Sequence, residues 1–328
     1  MKFLFCGFGN IMQRHFRNLK RLLPDCEISV YTHRRNDKRR IFDDKLKISY
    51  SSNLLGEYAI DCIFYDLDAA LDSERYDATF IGTLPPERID IATIAAERGI
   101  PIFIEKPISN NLDKVYKLRD IVEIKKIIFS VGFQMRFHPV LQKVKNMVDK
   151  KEFGDIYRIE VHHCNSIYNF TNGRDLSNFY ALREENGGGV LLSQIHEVDY
   201  LTWIFGKLYP VAAIYGQYLN IPNSDVEDNI TILSNLELTN TCIPVILNLD
   251  FLSKIPTRTL KIYGTEKTET FDLMDKSVVW NDLFYNEIEA FIGLINGKKQ
   301  ENLATLEDGI HSLEYVMDIK NNFTKVNL

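Results

Sequence analysis

The chain opens on a short apolar run, Phe3-Leu-Phe-Cys6, which ends at Gly7-Phe-Gly9 and gives way to a helical pattern through Leu23. Pro24-Asp25 breaks that period, and Glu27-Ile-Ser-Val-Tyr31 predicts a second strand. Residues 41–65 hold short apolar pieces with no sustained period. The rhythm then returns, with a strand over Ala78–Ile81, a turn at Pro85-Pro86 and a helix from Ile89 to Arg98 stopped by Gly99. A strand over Ile100–Ile104, a helix over Leu112–Val122 and a strand over Lys126–Val131 follow. Strands alternating with helices predict a parallel, doubly wound α/β sheet.

After Gly132 the pattern changes. Pro139–Val148 reads as a helix, and Asp155–His163 alternates as a strand does. Gly187-Gly-Gly189 precedes one continuous helix predicted over Val190–Phe205, stopped by Gly206. Val211–Asp272 is mostly strands and turns, and helices are predicted over Asn286–Ile295 and from Leu306 to about Asn321. A chain of 328 residues is too long for one small core. We therefore expect a Rossmann dinucleotide-binding domain over 1–132. Residues 133–328 should form an α+β substrate-binding and oligomerisation domain with a large, mostly antiparallel open sheet.

Composition narrows the class. The formal net charge of −6 argues against nucleic acid as the main partner, and no apolar run approaches the length of a membrane span. The beginning is too short and too soon glycine-rich for a signal peptide. Five cysteines, with no CxxC pair, suit reduced thiols and a cytoplasmic location. His162-His163-Cys164 invites a metal reading, but neighbouring strand residues face opposite ways and no partner stands at finger spacing, so no metal is expected.

Gly7 and Gly9 stand where a dinucleotide fingerprint belongs, between first strand and first helix. They fit the tight turn and the approach of a pyrophosphate to backbone N–H groups. The third position, usually Gly or Ala, is Met12, which is expected to crowd helix against strand. The second strand ends in Tyr31-Thr32-His33-Arg34-Arg35, without the acid that bonds an NAD ribose. Thr32 removes that repulsion, and Arg34 and Arg35 supply donors for a 2′-phosphate, so NADP is preferred over NAD. A solvated basic loop is the plainer reading of the same run. Glu105-Lys106-Pro107 puts a lysine at the mouth of a buried strand, where open α/β sheets hold ligands. Ser193, His196 and Tyr200 share one face of the predicted helix, with Asp199 nearby, and His196 titrates near neutrality.

These segments, Gly7-x-Gly9-x-x-Met12-x-x-His15, Thr83-x-Pro85, Glu105-Lys106-Pro107, Gly132-Phe-Gln-Met-Arg136-Phe137 and Gly187-Gly-Gly through His196-Glu-Val-Asp199, resemble the Gfo/Idh/MocA oxidoreductases in the same order. Asn302–Ile310 resembles the family's late helix. The resemblance implies hydride transfer between a nicotinamide and a secondary alcohol or carbonyl of a sugar-like substrate. It makes Lys106 the residue that positions the reacting oxygen and His196 the proton donor or acceptor. Around the cofactor it places Gly7, Gly9, Asn10, Ile11, Met12, Thr32, Arg34, Arg35, Thr83, Pro85, Glu105 and Gln134. Around the substrate it places Arg136, Arg174, Tyr180 and Asp199. A homodimer or homotetramer through the second sheet is implied as well. Three positions depart from the family: Met12 replaces the third glycine, Arg88 a histidine, and Ser193 an aspartate that contacts substrate. The His-Glu-x-Asp continuation resembles the branch found with surface-sugar biosynthesis. A non-catalytic dinucleotide or sugar sensor of the same fold is the alternative.

Overall fold

The computed structural model describes residues 1–33, 39–42, 48–51, 53–171, 176–238 and 241–326. Its first elements are β1 (Lys2–Cys6), α1 (Asn10–Leu22), β2 (Glu27–Tyr31), β3 (Arg39–Phe42), β4 (Ile48–Ser51) and α2 (Leu54–Tyr58). β5 (Cys62–Phe64), α3 (Leu67–Asp72), β6 (Ala78–Ile81), α4 (Pro85–Glu97), β7 (Ile102–Glu105), α5 (Val115–Lys125) and β8 (Phe129–Gly132) follow. The parallel sheet runs β5-β2-β1-β6-β7-β8. β6, β7 and β8 are buried at every residue, as strands covered on both faces must be, and so they read as mostly apolar runs without alternation, interrupted only by the buried Thr79, Glu105 and Ser130. Residues 41–65 gave no period because their pieces are short. β3 and β4 form a separate hairpin, and β5 is a three-residue edge strand beside β2.

Contacts divide the chain into two units at Gln134/Met135, but the first is not continuous. Trp280–Glu307 belong to it, whereas the sequence pattern places everything after 132 in the second. The helix α10 (Trp280–Ile295) explains the difference. Phe291 on it packs edge-on against Phe80 and Phe103 of the parallel sheet, at 5.6 and 5.5 Å between ring centroids. Asn281 donates to Asn18 of α1 at 2.9 Å, and Ala304 accepts from the Val131 amide.

The second unit holds α6 (Pro139–Asp149), β9 (Ile156–Cys164), α7 (Ile167–Thr171), α8 (Val190–Ser193), α9 (His196–Phe205) and β10 (Leu208–Gly216). β11 (Asn229–Leu238), β12 (Thr241–Asp250), β13 (Thr257–Gly264) and β14 (Thr268–Asp272) precede α10, and α11 (Leu306–Asn322) and β15 (Thr324–Val326) close the chain. The seven strands lie in the order β14-β13-β9-β12-β11-β10-β15, antiparallel except for β12 against β9 and β10 against β15. One face is apolar, with Ile159, Val161, Ile232, Val245, Leu247 and Leu260 fully buried. On the other, Ile214 and Leu233 stay exposed.

The predicted helix Val190–Phe205 is two helices. Between α8 and α9 the backbone tightens, and the Glu197 amide donates to the Gln194 carbonyl three residues back. Gln194 itself is tied through its side chain to the Asp250 carbonyl of β12. His196 therefore opens α9 instead of sharing a helix face with Ser193. Among the described residues no helix is long and apolar enough to cross a membrane.

Candidate active site

In the first unit, Gly7 takes φ +85°, and a Cβ there would meet Thr83 and Gly82 backbone atoms at 3.0–3.1 Å. Gly9 is different: a Cβ would meet nothing within 4 Å. The protein's own packing does not require glycine at Gly9, so the open space fits a pyrophosphate approaching the backbone. α1 begins next to it, at Asn10 and Ile11, with no side-chain cap and no acidic residue in its first turn. Such a terminus leaves N–H groups and positive dipole for an anion. Thr83 Oγ1, just beyond β6, is buried and has no hydrogen-bond partner among the described residues. Pro85 sits at the first turn of α4. These features fit a dinucleotide.

Met12 is fully buried without the expected crowding, because the room is supplied from the other side. A Cβ on Gly82 would lie 2.2 Å from Met12 Sδ. The glycine missing from the helix is thus present at the end of β6.

Thr32 is buried after β2, and its amide donates to the Phe64 carbonyl. Arg34 and Arg35 lie outside the described residues, as does Arg174 of the substrate group. Glu105, placed around the cofactor by the resemblance, turns inward: its Oε1 lies 2.6 Å from His15 Nε2, with both groups buried. Burial alone would raise this carboxyl, but the His15 bond and the charges of His15, Arg88 and Lys106 hold it below the usual range. The peptide between Lys106 and Pro107 is cis. Gln134 ends the first unit in a short 3₁₀ turn and is nearly buried.

In the second unit, the three glycines have separate reasons. Gly187 takes φ +75° at the end of a 3₁₀ turn. A Cβ on Gly188 would strike the Ala181 and Arg183 carbonyls at 2.6–2.7 Å. At Gly189 it would strike Glu227 Oε1 at 2.2 Å. Glu227 caps α8, its side chain accepting from the Leu191 amide at 3.1 Å and its carbonyl from Val190. The close approach is therefore to protein. Gly189→Ala, at φ +101°, is expected to cost about 1–3 kcal/mol, read as a lower urea midpoint; an unchanged midpoint would contradict this account.

His196 is buried at the first turn of α9. Arg136 and Asp199, both expected at substrate, are joined to each other: Nη2 lies 2.7 Å from Asp199 Oδ1, and Nε donates to the same carboxylate at 3.1–3.2 Å. Asp308 adds a second carboxylate at 3.0 Å. This planar, two-point pairing suits the guanidinium fork and raises the Arg136 pKa further. Tyr180 is exposed at 40 % on the segment preceding the glycines, where Arg183 fastens the loop to the Ser177 and Asn223 carbonyls.

Next to His196, Glu197 is fully buried between Arg258 Nε at 2.7 Å and His163 Nδ1 at 2.9 Å. Burial would raise its pKa, but the Arg258 charge and His163 pull it down to about 2. His162 instead reaches Asn248 at 3.5 Å, so the two adjacent histidines serve separate partners. Glu227 and Arg258 had no recognisable motif: each acts through a partner distant in the sequence.

The geometry defines a dinucleotide-binding unit joined in sequence to a mixed-sheet unit. Residues 1–133 match the model of an oxidoreductase family with an NAD-binding Rossmann fold, and residues 141–268 match the GFO/IDH/MocA C-terminal domain. The chain belongs to the Gfo/Idh/MocA oxidoreductase family. It is 25 % identical to the rhizopine catabolism protein MocA of Rhizobium meliloti over 42 % of this chain, a stretch that spans 40 % of that relative's length. The same fold occurs in scyllo-inositol dehydrogenase from Lactobacillus casei, solved with NAD(H) and scyllo-inositol. That likeness has a TM-score of 0.80 and 19 % identity, covering 98 % of this chain and 96 % of that one. WlbA dehydrogenase from Bordetella pertussis, solved with NADH and UDP-GlcNAcA, gives a TM-score of 0.79 at 16 % identity, covering 98 % and 94 %.

Proposed function

We propose that this chain is an NAD(P)-dependent oxidoreductase acting on a secondary alcohol or carbonyl of a sugar or nucleotide-sugar, in the making of surface polysaccharide. The observation that carries the reading is the open cradle at Gly9 beside an uncapped helix start, in the unit that also presents Lys106 at the end of β7. The nicotinamide, when bound, supplies or takes the hydride. The Lys106 ammonium stabilises negative charge on the reacting oxygen. His196 takes the hydroxyl proton in oxidation and returns it in reduction. Arg136 and Asp199 hold each other in a buried ion pair, and Tyr180 is the most exposed of the described residues given to the substrate. Ser193 in place of a carboxylate withdraws one two-point acceptor for vicinal hydroxyls, which disfavours a plain inositol.

NADP is the preferred cofactor in this reading, on Thr32 in place of an acid and on the basic run that follows. NADPH should bind severalfold more tightly than NADH by calorimetry, and Arg34→Ala should remove the difference. Tighter NADH binding, with Arg34→Ala leaving both affinities unchanged, would refute the preference. The exposed apolar residues of the seven-stranded sheet support a homodimer or homotetramer through that face.

The reaction is tested by following NAD(P)H absorbance across a panel of inositols, free sugars and UDP-activated sugars, acidic ones included. Turnover of a UDP-sugar with no turnover of inositols is expected. Tight cofactor binding without turnover on any member would favour the sensor reading instead.

A further inference from the structure

Arg88 is 6 % exposed in the first turns of α4, and its guanidinium is directed at backbone. Nε donates to the Thr83 carbonyl at 3.0 Å. Nη1 donates to the Glu105 carbonyl at 2.8 Å and to the Pro107 carbonyl at 2.5 Å. The last two carbonyls flank Lys106 on either side. The Glu105 side chain is held separately, by the His15 ring at 2.6 Å. Carbonyls just past the end of a strand have left the ladder and need donors from elsewhere. A planar fork meets three of them in fixed directions; a lysine offers one flexible point, and a neutral histidine one N–H.

We propose that Arg88 is a positioning residue that fixes the backbone from which the Lys106 side chain departs, tying it through Thr83 to the loop after β6. The inference rests on the role given to Lys106 above and deepens it. Thr83 carries the buried hydroxyl assigned to the dinucleotide, so one guanidinium aligns a cofactor-facing loop with the lysine that follows β7. A purely structural arginine would support the fold and leave the chemistry of Lys106 unaltered.

The test needs no substrate. The full chain and its Arg88→Lys, Arg88→His and Arg88→Ala variants are labelled with trinitrobenzenesulfonate over a range of pH. Modification of Lys106 is quantified by peptide mass spectrometry against Lys114 and Lys125 as internal references. The expected result is a change of at least threefold in the Lys106 rate, with a displaced pH midpoint. The rates of the reference lysines should stay within twofold. Millimolar guanidinium should restore the parent Lys106 profile to Arg88→Ala. A Lys106 profile coincident with the parent in any folded variant overturns the proposal. So does unfolding of all three, which would make Arg88 a scaffold residue only. The two readings fail separately: absence of turnover across the sugar panel removes the proposed reaction but leaves the labelling result standing. Unchanged labelling removes the role of Arg88 and leaves turnover untouched.

Discussion

Lys106→Ala should lower kcat by at least about a hundredfold, the usual loss when one preorganised donor to a developing oxyanion is removed. NADH affinity, which the proposed function assigns to the glycine loop and the start of α1, should stay within a few-fold. The variant is expected to fold, because nothing assigned to Lys106 makes it part of the core: the strand behind it is held by its ladder and by Phe103. The decisive measurement is steady-state turnover beside cofactor titration in the same preparation. Turnover equal to the parent's would show that the chemistry lies elsewhere. Equal loss of cofactor binding would make Lys106 a cofactor ligand instead.

The second large effect concerns stability. Arg258→Met strands the Glu197 carboxylate in the interior and should cost about 3–5 kcal/mol, whereas Arg258→Met with Glu197→Leu should recover much of it. Urea unfolding of the three proteins measures this, and a single variant as stable as the double would show the pair to be unimportant. The same cluster sets an acid limit. The Glu197 pKa falls from 4.5 unfolded to about 2 folded, so its contribution is complete above 4.5 and is lost as pH falls towards 2. His138, held at about 4 by burial and the nearby Arg258 charge, stays neutral in the fold. Its contribution is complete above 6.5 and is lost as pH falls towards 4. Stability should therefore decline from just below 6.5 and steepen below 4.5. His138→Gln should flatten the upper part of that decline and Glu197→Gln the lower.

The parallel sheet was legible because its inner strands have no polar face. Ala78–Ile81 reads as a strand from four consecutive buried residues. The glycine loop was legible as well, and Met12 misled only because its compensating glycine, Gly82, lies 70 residues away, just past β6. The break between α8 and α9 left no local signal. Residues 190–205 have good helical period, and the interruption comes from Gln194 reaching a carbonyl of β12. Partner choice was the least legible feature. Arg136 and Asp199 looked like ligands for a substrate, and nothing in their own segments reveals that each is the other's counter-ion. Glu105 was similar: the resemblance placed it around the cofactor, while its side chain meets a histidine 90 positions earlier.

The discontinuity of the first unit has a consequence for biosynthesis. A ribosome releases the whole parallel sheet well before it reaches α10. Until residues 280–307 emerge, Phe80 and Phe103 lack the ring of Phe291, and Val131 lacks the carbonyl of Ala304. The cofactor-binding unit, though most of it precedes the second unit in the chain, is completed only after Met135–Val279 have been made. A nascent chain stalled before Trp280 should therefore carry a sheet with one uncovered aromatic face, which makes it a client for chaperones rather than a finished nucleotide-binding domain.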